Sequence, residues 1–174
     1  MILKKYLTLK EVNNIPSLQQ QLLKIHTKIQ KQVNDSLKKE VASHVKEKIS
    51  NHVQTDVYSA YPNPIEYTRR NLQNGSLGDI KQMESNLIND GVLKITDNAD
   101  FNHEFASSHG GYGDIDLSKS LAYNIEYGYG SKNQPWNESR DFMNETKKDI
   151  KSSNSHVEVL KGALRKRLGN DVVR

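Results

Sequence analysis

A chain of 174 residues with 34% hydrophobic residues supports one domain with a modest core. It has no Cys, which excludes a disulfide framework, a thiolate metal site and a Cys nucleophile, and suits a reducing interior such as a bacterial cytoplasm. The net charge of +4 is uneven: residues 1–50 carry ten Lys against four acids (+6), residues 161–174 carry five basic residues against Asp171 (+4), and the middle is therefore −6. Basic ends around an acidic middle favour self-association and leave room for contact with a polyanion, although each cluster taken alone reads as solvated surface.

The start, Met1-Ile2-Leu3-Lys4-Lys5, has no apolar run long enough for a signal peptide or a membrane span, so no membrane partner is expected. Residues 1–15 read as an extended arm or a frayed terminus: Tyr6, Leu7 and Leu9 give apolar content that Asn13-Asn14 interrupts.

Pro16-Ser17 opens a long helix. Apolar residues fall at Leu18, Leu22, Ile25, Ile29, Val33, Leu37, Val41, Val45, Ile49, Val53 and Val57, and after Ile25 the spacing is always four. At about 100° per residue a step of four overshoots one turn by about 40°, so in a regular α-helix the stripe winds around the axis. The spacing therefore predicts either a break near Asn34-Asp35-Ser36 or two halves with different partners. One partner would be the chain's own sheet and the other a neighbouring subunit. His44 and His52 are eight residues apart, whereas zinc ligands on one helix sit three or four apart.

The helix is expected to end between Tyr58 and Pro64, where Tyr61-Pro62-Asn63-Pro64 disfavours α geometry. Arg69 and Arg70 follow, either as a bidentate pair for phosphate or carboxylates or as a solvent-facing strand end. Asn74-Gly75 signals a turn. A β-hairpin is predicted over Ile80 to Thr96, with strands from Lys81 to Ile88 and Val92 to Thr96 around the turn Asn89-Asp90-Gly91.

Residues 98–118 read as an irregular insertion. His103, Glu104, His109, Asp114 and Asp116 offer a carboxylate–imidazole cluster, but no second ligand pair anchors it. The glycines there are not followed by Gly-Lys-Ser/Thr, so they are not a phosphate loop. Ser118 is positioned to cap a short helix through Leu121, Ala122 and Ile125.

Ile125 to Phe142 is the richest stretch: an apolar end, Tyr127 and Tyr129 alternating with Gly128 and Gly130, then Pro135, the single Trp136, Asn137 as a candidate N-cap, and a helix carrying Phe142, Met143 and Ile150. Ser152-Ser153-Asn154-Ser155 interrupts that helix. A last helix is expected from His156 to Leu168, ended by Gly169, with Arg165-Lys166-Arg167 suiting its negative end.

Glu126-Tyr127-Gly128 and Pro135-Trp136 to Phe142 resemble a pattern of tailed-bacteriophage neck proteins of the minor tail-component, or tail-completion, family. There an acidic-aromatic-glycine turn precedes a short loop, an aromatic anchor and a C-terminal helix. Gly75-Ser76-Leu77 before the hairpin is a second echo. Order and spacing are similar from about Val45 onward, while residues before Ile15 and from Ala99 to Leu117 depart from the pattern.

The residues predict an α+β fold, with a long N-terminal helix and C-terminal helices packed on a small antiparallel β-sheet. Residues 16–168 form the domain, 1–15 the arm and 169–174 the tail. The resemblance implies a structural virion protein and not an enzyme: a head–tail joining subunit without cofactor, metal or catalytic residues. It would be assembled in the host cytoplasm into a homo-oligomeric ring, for which a hexamer is one allowed size. Implied partners are head-completion and tail-terminator or tail-tube proteins, with genomic DNA passing through the lumen. Candidate assembly contacts are Tyr127, Gly128, Tyr129, Gly130, Pro135, Trp136, Arg69 and Arg70. Two other classes stay open: a basic nucleic-acid-binding protein, given an isoelectric point of about 9.1, and a small metal-dependent hydrolase using His103, Glu104 and His109.

Overall fold

The structure is a computed structural model that describes residues 15–60, 75–99, 121–127 and 139–169. One helical rod runs from Ile15 to Tyr58. It consists of α1 (Ile15–Ser36), a π-helical segment (Leu37–Val41), α2 (Ala42–His52) and a second π-helical segment (Val53–Tyr58). A hairpin follows, β1 (Met83–Asn89) and β2 (Val92–Asp97), then α3 (Leu121–Tyr127), α4 (Phe142–Ser153) and α5 (Ser155–Leu168). The fold is α+β, with a long N-terminal helix, C-terminal helices and a small antiparallel sheet, as the sequence predicts.

The rod does not break at Asn34-Asp35-Ser36. Ser36, Val41, Ala42, His52 and Val53 all keep right-handed helical dihedrals. The winding of the stripe is corrected instead by the two π segments. A π turn closes i→i+5 bonds and advances less than 100° per residue, so a step of four falls short of a full turn where an α-helix overshoots by about 40°. Placing a π segment at Leu37 and another at Val53 rewinds the line. Leu37, Val41, Ile49 and Val53 are all buried, and Val45 and Val57 pack beside them. The rod ends where Ser59 donates both its N–H (2.9 Å) and its Oγ–H (2.8 Å) to the Gln54 carbonyl.

The hairpin pairs Met83 with Asp97 through Asn89 with Val92, with an irregularity between Leu87 and Asn89. Gly91 takes φ +78°, the one turn residue of Asp90-Gly91 with positive φ, which suits glycine. β1 begins two residues later than predicted and β2 ends one later. Asn34 holds the hairpin tip to the rod: its Nδ2 donates to Asp90 Oδ1 (2.9 Å) and its Oδ1 accepts from Gly91 N–H (3.1 Å).

The core lies where the rod, the turn before the hairpin, the hairpin, α3 and α4 meet. Ile49, Val53, Leu77, Met83, Ala122 and Phe142 form it, with Tyr58, Ile95, Ile125 and Met143 around them. Asp79 shapes the turn by accepting Gly75 N–H and Lys81 N–H, each at 3.0 Å. α4 and α5 are separated by Asn154, whose left-handed φ +49° and ψ +20° is a geometry Asn tolerates. Gly169 follows α5 with φ +91°, and its N–H donates to Arg165 O.

The expected start of the C-terminal helix is corrected. Residues 139–141 are not helical, α4 starts at Phe142, and Asp141 rather than Asn137 holds the N-cap position. No helix among the described residues is long and apolar enough to cross a membrane.

Candidate assembly surface

α3 divides two adjacent residues between two tasks. Glu126 is buried, whereas Tyr127 is 65% exposed. The Glu126 carboxylate reaches the start of α4, where Met143 N–H donates to Oε2 (2.9 Å) and Asn144 N–H to Oε1 (3.3 Å). Asp141, in the cap position, makes no side-chain capping bond of its own. Glu126 therefore supplies from a different helix the acceptors that the first turn of α4 lacks, at the positive end of its dipole. Arg140 N–H to Ile125 O (2.9 Å) joins the same two elements through the backbone. Burial raises the Glu126 pKa, the Met143 N–H opposes that, and the adjacent Asp141 carboxyl adds to the rise.

On the outer side of α3, Tyr123 and Tyr127 lie one turn apart with ring centroids at 4.7 Å and a tilt of 48°. This spacing is within the range of favourable aromatic pairs. Both rings are exposed, at 43% and 65%. The result is an aromatic patch on a helix whose inner face is fixed by a buried acid.

Of the sequence candidates, Tyr127 is placed on this patch. Gly128, Tyr129, Gly130, Pro135, Trp136, Arg69 and Arg70 lie outside the described residues, as do His103, Glu104, His109, Asp114 and Asp116. Tyr123 and the capping role of Glu126 were not predicted. Tyr123 carries a signal, its i,i+4 spacing to Tyr127. Glu126 carries none, because its partners follow 17 and 18 residues later across an intervening segment.

Two of the rod's three histidines, His44 and His52, are occupied in the seam between the rod and the C-terminal helices. His44 Nε2 lies 2.9 Å from Ser155 Oγ, and His52 Nδ1 lies 2.7 Å from Asp56 Oδ2 and its Nε2 3.6 Å from Asp149. Lys48 bridges to the same Asp149 at 2.8 Å. No group of three or more His, Asp or Glu able to hold a metal ion occurs among the described residues. Several basic residues are likewise engaged by acids: Arg167 donates twice to Glu40 (2.7 and 3.0 Å), and Lys148 and Lys161 pair with Glu145 and Glu158. Bases matched to acids in this way weaken a continuous phosphate-binding track.

The fold is a helical scaffold that holds an aromatic patch on a helix anchored from its inner side. The chain belongs to the YomN family, whose model matches residues 14–166. That family is phage-derived, of the SPbeta/Bacillus prophage type, and the chain is accordingly a phage-type protein. No curated protein and no solved structure matches it.

Proposed function

We propose that this phage-type protein is a structural virion subunit that assembles into a ring at the neck, where head and tail join. The observation that carries the reading is the division of labour in α3. Glu126 points inward and fixes α4, while Tyr123 and Tyr127 point outward immediately before the glycine-rich segment. Tyr is enriched at protein contacts because it offers a large surface at low entropic cost. A rigidly mounted aromatic pair suits a contact repeated identically around a ring. Gly128, Tyr129, Gly130, Pro135 and Trp136 extend that contact in sequence, and Arg69 and Arg70 carry the charge to pair with a neighbour's acids or with DNA phosphates. The acidic middle of one subunit and the basic ends of the next add complementarity.

The test is the mass of the protein in solution, followed by its role in assembly. The wild type is expected as a multiple of 19.8 kDa greater than two. Tyr127→Ser should lose that mass while keeping its circular dichroism, since Tyr127 is outside the core. Phage lacking the gene should accumulate full heads and finished tails that do not join. A wild-type protein that stays monomeric at high concentration, and is absent from purified virions, sinks the proposal.

A further inference from the structure

The first half of α1 stands apart from the rest of the rod. Every side chain from Ser17 to Ile29 is exposed, on all sides of the helix. That includes Leu18 at 56%, Leu22 at 57%, Ile25 at 55% and Ile29 at 39%. Isolated helices shorter than about 12–15 residues are marginal in water, so such a projecting segment gains from a partner.

The spacing identifies the kind of partner. Leu18, Leu22, Ile25 and Ile29 follow one another by four, three and four residues. That is the narrow a/d seam of a helix packed on another helix, distinct from the broader stripe of a helix lying on a core. The pattern changes to steps of four at Val33, close to Ser36, where the rod becomes buried. The one sequence therefore carries two periods: a coiled-coil period on the projecting half and a π-corrected period on the packed half.

The order of the steps identifies the occupant: four, three, four reads the same in either direction, so the seam matches an inverted copy of itself. No Asp or Glu occurs between residues 15 and 34, so the register must also keep the lysines apart. An antiparallel copy of the same segment sets Leu18 opposite Ile29 and Leu22 opposite Ile25, and this is a self-complementary, two-fold contact. In that register Lys28 of one copy lies beside Gln21 of the other, and His26 beside Gln19. Each cation thus meets a neutral acceptor, and no lysine meets a lysine. Residues 18–29 fall within the span matched by the family model.

We infer that the N-terminal half of α1 pairs with the same segment of a second copy as an antiparallel two-helix coiled coil. This pairing does not rest on the ring reading: it uses a different surface, and each can fail alone.

Sedimentation of the full chain at about 100 µM, where a contact of micromolar affinity is filled, tests it. The expected result is association that Leu22→Glu/Ile25→Glu abolishes at the α1 contact, halving the mass, while the melting temperature of the monomer is unchanged. Because the chain has no Cys, single cysteines report the register directly. Leu18→Cys mixed with Ile29→Cys should give a disulfide-linked dimer rapidly, and Leu18→Cys alone should not. A wild-type monomer at this concentration overturns the pairing. So does a larger assembly whose mass the double variant leaves intact, which would retain the ring reading. Rapid dimerisation of Leu18→Cys alone overturns the antiparallel register. Unfolding of the double variant shows that these side chains belong to the body, and also overturns it.

Discussion

Asp97 ends β2 as a carboxyl group only 4% exposed. Its Oδ1 accepts Ala99 N–H at 2.9 Å, while Oδ2 has no hydrogen-bond partner. Burial pushes its pKa up from 3.8 to about 6; the Ala99 bond opposes the rise and the charge of Asp79 adds to it. A folded-state pKa above the unfolded value means that the folded chain holds the proton more tightly. The favourable contribution is complete below pH 3.8 and is lost as pH rises to about 6. A shift of roughly two units corresponds to about 3 kcal/mol. Asp79 is shifted the other way, first by the Gly75 N–H bond, so it adds stability above pH 3.8 that disappears as pH falls. Comparing variants isolates Asp97. Asp97→Asn keeps the Oδ1 acceptor and has no charge to bury. Its stability relative to wild type, from urea titrations, should improve by about 2.5 kcal/mol between pH 4 and pH 7. A difference that stays flat over that range would show that Asp97 is not held protonated by its surroundings.

At the scale of elements, the π segments are what let a four-residue repeat serve one face. Their removal has a testable signature. A π turn holds one more residue than the α turn it replaces, so deleting exposed Lys38 should return Leu37–Val41 to α geometry without turning either flank. The expected cost is about 1 kcal/mol, a few degrees in melting temperature. Deleting exposed Glu47, within regular α2, has no such slack. It rotates everything before it by about 100° relative to Ile49 and Val53. These are 3% and 0% exposed, and displacing each costs about 2–5 kcal/mol, so this variant should not fold. Two deletions of equal effect in a thermal melt would remove the π-correction account. The hairpin was legible because Asp90-Gly91 has a local turn preference, and α5 because Val157, Leu160, Leu164 and Leu168 repeat at the α period. The π segments were not, because a stripe with steps of four is compatible with drift, with a break or with rewinding. The start of α4 was missed for a related reason: Asn137 looked like a local cap, and the actual cap comes from Glu126 on another helix.

At the scale of the molecule, the rod is anchored at one end and exposed at the other. Between Leu37 and Tyr58 it is held by the core and by the seam of Glu40–Arg167, His44–Ser155 and Lys48–Asp149. Surface ion pairs contribute little each, about 0–1 kcal/mol, so the apolar face supplies the stability and the seam fixes how the rod registers on α4 and α5. Between Ser17 and Ile29 every side chain is exposed, and no other described element covers it. Local opening costs range from about zero for uncovered segments up to the full unfolding free energy in the core. Hydrogen exchange on the dilute protein should therefore show a step near Ser36. Amides from Leu18 to Ile29 should exchange within about tenfold of an unfolded peptide, and those from Ile49 to Val53 only on global unfolding. Raising the protein concentration should slow the first set and leave the second unchanged, because association protects only the segment that it covers. Strong protection of residues 18–29 at the lowest concentration would mean that the body itself covers the seam, and the projecting half of the rod would then have no surface left for a second copy.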